Sequence, residues 1–438
     1  MQQLENQITL VQTPEEFLQD FSIYNYTDPA IIRSLQTLVV QGNAIGAGGR
    51  GSIYNLYDAG ILLNIVLKVS ENCPTWTDQN NVQGNGPRGG AYGQMCRAVN
   101  SGDIIFRIPN TKTGKMTILV PNYISEVLCG ILLSRLIHFT PSFMQIKGFQ
   151  YDNVSPTKPM YIIQEKLIKF STAQRNIDGS LLTIDGTPNG TPSRPLTPNQ
   201  FLIFSFQLFQ ALAVAQMTHR FTHYDLHFNN IMQRSVDNNM VNIYEIGNGD
   251  YLYIYTDFVA VIIDYGHVRM ETDSSVLTPT QILPGVNGRN ILDFYEFNPY
   301  MDVYSFLVNY FGIITLEQAA LSTPGQSFNH PLLPCIYILW GMFLNLSKEY
   351  VEKFTLNAER NEYIMSRLIT QFISHIEISP AANRWRPKAE LLSTPWNAPT
   401  IQYATFDNNG QSQTISVNIK IERLSTPKQM IARIAYLL

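Results

Sequence analysis

The chain has 438 residues, of which 45% are hydrophobic and 15% are charged, and its formal net charge is -4. This length and hydrophobic content can fill the cores of two or three domains of roughly 100–200 residues each. The charged fraction lies below the roughly 25% of typical soluble domains and the net charge is negative, so no basic field exists to hold nucleic acid or an anionic membrane surface.

The cysteines and the apolar segments indicate the compartment. Cys73, Cys96, Cys129 and Cys335 show no zinc-type spacing and are too few for a disulfide framework. The first residues, "MQQLENQITL", lack the pattern of a signal peptide, and apolar runs such as "CIYILWGMFL" are shorter than the ~20 residues that span a bilayer. We therefore expect an intracellular, cytoplasmic protein without a membrane span.

The first 167 residues alternate between strand patterns and irregular stretches. Residues 1–40 are predicted as an N-terminal helical extension, because "TPEEFLQDF" opens with a capping-box pattern. Strand patterns separated by glycine turns follow over 41–70, and an insertion rich in Asn, Gly and Pro is predicted at about 71–120. "PNYISEVLCGILLSRLIHF" predicts an amphipathic helix with Asn122 as a possible N-cap, and "MYIIQEKL" (160–167) predicts a buried strand.

The rest of the chain is mainly helical in pattern. A second insertion is predicted at 171–200, and "FLIFSFQLFQALAVAQMTHR" predicts a long helix directly after it. A third insertion, at about 234–256, contains a hairpin around Gly247-Asn248-Gly249. Helices dominate up to residue 396, and 397–438 form a C-terminal extension with a strand and a closing helix. The fold class is α+β, with a small strand-rich part (41–167) and a larger helical part (168–396).

A glycine motif begins the strand-rich part. Gly46, Gly48 and Gly51 form G-x-G-x-x-G, although glycines also mark ordinary hairpins. A dinucleotide-binding fold would continue into a helix, whereas "SIYNLY" alternates like a strand. The pattern therefore predicts a glycine-rich flap between two strands, with backbone N–H groups able to approach phosphates.

Lys68 ends the apolar run "IVLK" and needs a partner. A buried ammonium without a carboxylate is costly. Among the acidic residues between Lys68 and Glu165, only Glu126 lies in a strong amphipathic helix. We predict that Glu126 pairs with Lys68, the alternative being that Glu126 is a solvated helix residue.

Polar residues also follow the long helix and the next apolar strand pattern. Asp225 and Asn230 lie five apart in "HYDLHFNN", and Asp264 ends "VAVIID" before a Tyr-Gly pair. Each aspartate alone could cap a turn.

Together these motifs resemble the signatures of the protein kinase-like superfamily. The glycine motif, "IVLK", "HYDLHFNN" and "DYG" match its glycine loop, strand lysine, H-R-D-L-x-x-x-N and D-F-G in order. "MDVYSFLVNY" resembles the family's D-V-W-S-F helix, with Asp302 as the residue that braces the catalytic loop. "NRWRPKAELLSTPW" resembles the end of the C-lobe, with Arg386 as its structural arginine. The resemblance spans about 41–396.

The resemblance implies a two-lobed fold and a division of labour in phosphoryl transfer. Lys68, oriented by Glu126, holds the phosphates of ATP. Asn230 and Asp264 hold Mg²⁺, and Asp225 orients the acceptor hydroxyl or takes its proton. The resemblance also implies an adenine site at the hinge, contacted through backbone groups, with Gln164 as gatekeeper beside Glu165 and Leu167.

The sequence departs from the family pattern at several positions. Tyr224 replaces the H-R-D arginine, and His227 stands where Ser/Thr kinases carry a lysine. The D-L-H form is common in small-molecule phosphotransferases. No A-P-E precedes Asp302, where only Asp293 or Glu296 could pair with Arg386. The segment after Asp264 is short, and its hydroxyl residues are Thr272, Ser274, Ser275 and Thr278. Because the H-R-D arginine is missing, we expect packing and not phosphorylation to order the segment after Asp264. The alternative is that Arg269 or Arg289 takes the place of that arginine.

We therefore expect an ATP-dependent kinase that phosphorylates an unidentified protein, on Ser/Thr in preference to Tyr. One alternative is a small-molecule kinase, which the C-lobe motifs disfavour. Another is a pseudokinase that serves as a scaffold or virion component, which the presence of Lys68, Asp225, Asn230 and Asp264 disfavours. The Asn-rich insertions and low charge resemble kinase-like proteins of large DNA viruses. The sequence does not indicate the oligomeric state.

Overall fold

A computed structural model defines the positions of part of the chain. The described residues are 10–12, 38–40, 44–48, 51–58, 60–70, 105–109, 114–120, 122–151, 160–169, 196–237, 241–247, 249–279, 281–284, 290–293, 296–321, 330–347, 358–377, 392, 395–406 and 411–438. The chain divides into two compact units. The first unit contains 1–167, 217–223 and 263–297, and the second contains 168–216, 224–262 and 298–438.

Both strands and helices are present, which confirms the mixed α and β content predicted from the sequence. The strands are β1 (Leu10–Gln12), β2 (Leu38–Val40), β3 (Gly46–Gly48), β4 (Gly51–Asp58), β5 (Ile61–Ser70), β6 (Ile105–Pro109), β7 (Met116–Val120), β8 (Ile146–Tyr151), β9 (Met160–Glu165), β10 (Ile168–Lys169), β11 (Ile231–Ser235), β12 (Val241–Gly247), β13 (Asp250–Tyr255), β14 (Phe258–Ile262), β15 (Met270–Glu271), β16 (Ser275–Pro279), β17 (Gln281–Pro284), β18 (Asn290–Asp293), β19 (Trp396–Asn397), β20 (Ile401–Phe406), β21 (Ser412–Val417) and β22 (Lys420–Ile421). The helices are α1 (Asn122–Ser134), α2 (Pro198–His219), α3 (Met301–Leu321), α4 (Leu333–Phe343), α5 (Ala358–Glu377) and α6 (Pro427–Ala435).

Two sheets and one helix form most of the first unit. One sheet has the order β2-β4-β5-β9-β8, with β3 paired to β4. The other has the order β1-β6-β7-β16-β15, in which β7 and β16 run parallel. Helix α1 packs against β8 and β16. It buries Ile124, Val127, Leu128 and Ile131 completely, and these residues share one face of the helix because of their three- and four-residue spacing.

An aromatic core holds the second unit together. Phe201, Phe204 and Phe209 of α2 pack against Phe306 and Tyr310 of α3, with ring centroids 5.3 to 6.4 Å apart. Such aromatic pairs add stability beyond the area they bury. This core fixes α2 against α3.

Helix α2 is also joined to the sheet β10-β11-β14 of the same unit. The buried Gln207 side chain donates to the carbonyl of Phe258 and accepts from the N–H of Ala260. By length and hydropathy α2 could cross a membrane, but 72% of its apolar window is buried inside the protein. It is therefore packed like the core helix of a globular unit.

Most of the elements predicted from the sequence lie where the structure has them. These are α1, α2, the strand at 160–165, the hairpin at Gly247 and the closing strand and helix. The described residues of the predicted N-terminal helix, Leu10–Gln12 and Leu38–Val40, are strands instead, because they pair with β6 and β4. The predicted capping box at Thr13 lies outside the described residues, as do 71–104 and 170–195 of the predicted insertions.

Candidate active site

Lys68 lies on β5, between Ile53 of β4 and Ile162 of β9. Its Nζ donates to Oε1 of Glu126 on α1 at 2.5 Å. The two side chains are only 13% and 5% exposed. A buried ammonium persists only where a carboxylate compensates its lost hydration. Helix α1 therefore supplies the counter-charge of Lys68.

Asp264 is the second carboxylate near Lys68. Its Oδ1 lies 3.7 Å from the Lys68 Nζ, and its side chain is 38% exposed. The Asp264 backbone is left-handed, with φ 60° and ψ 73°. This conformation is uncommon for a residue other than glycine, so neighbouring contacts must hold it. The result is a cation with one buried and one solvent-accessible carboxylate.

Tyr265 provides those holding contacts. Its carbonyl accepts a hydrogen bond from the Ser125 hydroxyl of α1 at 3.1 Å, and its own hydroxyl accepts from the Met144 N–H at 2.8 Å. The ring is fully buried against Phe143 and His223. Tyr265 thereby ties the turn that carries Asp264 to the helix that carries Glu126. In the sequence, the only signal for Tyr265 is its place in the "DYG" motif.

Gly130 allows α1 to approach this turn. A Cβ at residue 130 would lie 2.6 Å from Cγ1 of Ile146 and 3.2 Å from Cδ2 of Tyr265. Separations this short are repulsive, so only glycine fits without displacing a neighbour. The sequence signal was a glycine inside a strong helical pattern, where it costs ~1 kcal/mol relative to alanine and therefore often has a packing role.

The glycine motif forms a hairpin. Gly46 of β3 pairs with Ile53 of β4, and Gly48 pairs with Gly51. The sequence predicts a strand and not a helix after the glycines, and β4 confirms this prediction. The hairpin lies next to the strand that carries Lys68, because Ile53 of β4 pairs with Lys68 of β5.

The three predicted adenine-binding residues lie at the end of β9 and just after it. Gln164 and Glu165 are the last residues of the strand, and Leu167 lies two residues beyond it. Gln164 is 7% exposed, and its Oε1 has no hydrogen-bond partner among the described residues. The Glu165 N–H donates to the Gln145 carbonyl, and the Glu165 carboxylate accepts from the Gln145 N–H. The backbone N–H of Glu165 is therefore engaged by Gln145. Leu167, which is half-buried, ends the stretch.

Asp225 and Asn230 are brought together in the second unit. Nδ2 of Asn230 donates to the backbone carbonyl of Asp225 at 2.8 Å and to its Oδ2 at 3.3 Å. Because a carbonyl oxygen can only accept, this contact fixes the orientation of the amide and identifies its Oδ1 as the acceptor end. The Asn230 amide and the Asp225 carboxylate thus lie side by side, joined through the amide nitrogen.

His227 is oriented toward the same carboxylate. Its Nδ1 accepts from the Asn229 N–H at 3.1 Å, so the proton of a neutral ring lies on Nε2. Nε2 lies 3.7 Å from Oδ1 of Asp225. The Nε2–H group of His227 therefore faces Oδ1 of Asp225, whereas Asn230 contacts Oδ2.

Asp302 supports the backbone of this loop. Its Oδ1 accepts the Tyr224 N–H at 3.0 Å, and the side chain is fully buried in the first turn of α3. Tyr224 has φ 63°, another left-handed backbone. His223, on the first unit, is buried and its Nε2 donates to the Ile263 carbonyl at 2.9 Å.

A buried carboxylate holds the segment after Asp264. Glu271 accepts from Nη2 of Arg269 at 2.5 Å, from Nε of Arg220 at 3.0 Å and from Nζ of Lys115 at 3.1 Å. The Arg220 guanidinium also lies 4.6 Å from the Phe297 ring centroid. Burial pushes the pKa of Glu271 upward, but the hydrogen bonds from Arg269 and Lys115 and the neighbouring positive charges outweigh it, and the pKa lies below its usual range. Arg269 thus binds an internal carboxylate.

The same segment is part of a sheet. Strand β16 runs parallel to β7, with Ser275 opposite Met116 and Pro279 opposite Val120. All five β16 residues are buried, including Ser275 and Thr278. Strand β7 lies within the insertion predicted at about 71–120, so its pairing with β16 corrects that prediction. Arg289 and Arg386 lie outside the described residues.

A protein-only metal site is absent from the described residues. No group of three or more His, Cys, Asp or Glu side chains there could hold a metal ion. Mg²⁺ differs from most metals in this respect, because it commonly binds one or two protein oxygens and takes its other ligands from phosphates and water.

No family model matches the chain. The chain is similar to a protein named "Probable kinase 098L" from Invertebrate iridescent virus 3, with 26% identity over 286 residues. The match covers 64% of this chain and 46% of the relative, so the chain spans about half the length of the relative it matches. This similarity suggests a kinase-like protein of a large DNA virus and indicates no substrate.

Proposed function

We propose that the chain is an ATP-dependent phosphotransferase that phosphorylates a protein hydroxyl, on Ser/Thr in preference to Tyr. The observation that carries this proposal is the Lys68–Glu126 pair with Asp264 3.7 Å from the same ammonium. A part-buried cation beside a solvent-accessible carboxylate offers neighbouring sites for a phosphate group and for the Mg²⁺ that accompanies it.

The nucleotide would use residues of the first unit. Lys68 binds phosphate oxygens, and the N–H groups of the β3–β4 hairpin lie over the phosphates. Oε1 of Gln164, which has no hydrogen-bond partner within the described part of the chain, is the acceptor that an adenine amino group requires. Glu165 and Leu167 contribute backbone groups to the base. Bound ATP supplies the transferable phosphoryl group.

Asn230 and Asp264 each supply an oxygen ligand to Mg²⁺ in this proposal, because amide and carboxylate oxygens are the ligands Mg²⁺ prefers. Asp225 accepts the proton of the substrate hydroxyl. The hydroxyl oxygen then forms its bond to the γ-phosphorus as the bond to the β–γ bridging oxygen breaks, leaving ADP. His227 and Asn230 position the Asp225 carboxylate by contacting its two oxygens.

The proposal is tested by phosphate transfer from labelled ATP and Mg²⁺ to generic protein acceptors and to a panel of sugars and amino alcohols. Lys68→Met and Asp264→Ala should abolish transfer. Lys420→Met and Asp237→Ala are the matched controls, since both native side chains are exposed, and both should retain it.

The acceptor panel separates the alternatives. Transfer to the small molecules alone would replace the protein acceptor in the proposal, and the D-L-H pattern around His227 gives that result its rationale. Absence of any transfer by the wild type, including to itself, would reject the enzyme and favour a scaffold. The location in the cell and any association with a virion remain predictions.

A further inference from the structure

The hairpin β12–β13 of the second unit has one buried face and one exposed face. On the buried face, Tyr244 is 1% exposed and packs edge-to-face on Phe206 of α2, with ring centroids 5.3 Å apart, and Ile254 is 4% exposed. These contacts fix the hairpin on the core helix. The opposite face therefore has a defined direction toward solvent.

The exposed face carries three tyrosines. The register places Tyr251 opposite Glu245, Tyr253 opposite Ile243 and Tyr255 opposite Val241. These pairs lie on one side of the ribbon, because alternate residues of a strand share a face. We define the tyrosine ribbon as Ile243, Glu245, Tyr251, Tyr253 and Tyr255. Its tyrosines are 56%, 60% and 72% exposed, and Ile243 is 58% exposed.

This composition is unusual for a face turned to water. Antiparallel hairpins that cover a core normally carry polar residues outside and apolar residues inside. Single exposed hydrophobic residues need no explanation, but contiguous ones mark binding surfaces. Tyrosine is enriched at protein interfaces because it offers a large contact area, a hydroxyl group and few rotatable bonds.

The charge of the hairpin selects the partner. Residues 241–255 contain Glu245 and Asp250 and no Lys, Arg or His. Both carboxylates are exposed. Positive groups are attracted to carboxylates and to the faces of aromatic rings, and the Arg guanidinium in particular stacks on tyrosine.

We propose that the tyrosine ribbon is a docking surface for an extended, arginine-rich peptide segment of a partner protein. Alternate side chains of an extended peptide recur at the same interval as Tyr251, Tyr253 and Tyr255 along β13, so successive arginines can each meet one ring. RNA phosphates would be repelled by the carboxylates. A second copy of the chain would oppose its ribbon with one of the same negative charge. This inference does not depend on phosphoryl transfer.

Fluorescence anisotropy with a labelled peptide of alternating Arg and Ser tests the proposal. The wild type should bind it, and the triple variant Tyr251→Thr, Tyr253→Thr, Tyr255→Thr should bind about tenfold more weakly or worse. Tyr436→Thr is the matched control, since that tyrosine is 75% exposed and lies outside the hairpin. It should bind like the wild type, and a labelled Glu-Ser peptide should not bind.

Far-UV circular dichroism and melting temperature establish that the variants are folded. If the triple variant fails to fold, Glu245→Lys decides the question, because it changes one exposed side chain and reverses the charge. It should weaken binding of the Arg-Ser peptide. Equal affinity of the wild type and the folded ribbon variants would overturn the proposal, as would no binding by the wild type.

Two other results would identify a different occupant and also overturn it. Preferential binding of single-stranded RNA through the tyrosines would be one. A concentration-dependent dimer in light scattering, lost in the triple variant, would be the other.

Discussion

Glu126 holds the ammonium of Lys68 across 58 residues of sequence, with Oε1 and Nζ 2.5 Å apart. The pair joins β5 of the sheet to helix α1. It therefore couples the position of α1 to the sheet, and Asp264 shares the same cation.

Lys68→Met should lower the free energy of unfolding by roughly 3 kcal/mol, because it leaves the Glu126 carboxylate buried without its partner. The double variant Lys68→Met, Glu126→Leu should regain most of the lost free energy of unfolding. It should remain inactive in phosphate transfer. Denaturant unfolding and the transfer assay measure the two effects separately. Full transfer activity in Glu126→Gln would show that the pair is only structural.

Gly130→Ala should destabilise the protein by roughly 1–3 kcal/mol and reduce transfer, because the added methyl group clashes with Ile146 and moves α1 away from Tyr265. Gly312→Ala on α3 is the matched control. A Cβ there meets no atom within 4 Å, so the change should be neutral or stabilising by up to ~1 kcal/mol. Thermal melting of the two variants checks this, and similar behaviour would contradict the packing argument.

Asp225→Asn should lower turnover by roughly 10²–10⁴-fold while ATP and Mg²⁺ still raise the melting temperature, because the proposed mechanism assigns the carboxylate to the acceptor hydroxyl and not to the nucleotide. Asp264→Ala should instead remove the Mg²⁺-dependent part of that rise. Loss of nucleotide binding in a folded Asp225→Asn protein would assign Asp225 a different role.

Glu271 should give the protein an acid-sensitive contribution to stability. Its pKa is below the ordinary value of 4.5, so the stabilisation is fully present above pH 4.5 and is lost as the pH falls through the lower, folded-state pKa. Melting temperature measured against pH should therefore decline less on acidification in Glu271→Gln than in the wild type. Parallel curves would mean that other groups cause the acid sensitivity.

Phosphorylation of the segment after Asp264 should not be needed for transfer. Ser275 and Thr278 are buried in β16, and Arg269 is already bound to Glu271. Phosphatase treatment and replacement of Thr272, Ser274, Ser275 and Thr278 by Ala should each change transfer by less than tenfold, which corresponds to about 1.4 kcal/mol. A larger fall in the Ser274→Ala variant, which changes an exposed hydroxyl, would reveal a regulatory phosphate.

The sequence by itself determined the elements whose signal is local. The apolar spacing in α1 predicted the helix, and the glycines before "SIYNLY" predicted the β3–β4 hairpin, because helix and strand periodicities are set by neighbouring residues. It also gave Glu126 as the partner of Lys68, since a buried cation requires a carboxylate and few were available. The sequence also placed Asp225 and Asn230 on one short loop, five residues apart.

Tertiary structure alone decided the contacts between distant segments. The parallel pairing of β7 with β16 and the contact of Lys115 with Glu271, 156 residues apart, have no local signature. Strand pairing depends on which edges meet after the chain has collapsed, so "MTILV" could not be distinguished from an apolar piece of an irregular insertion. The need for glycine at residue 130 likewise arises from the side chains of Ile146 and Tyr265, which meet α1 only in the folded protein.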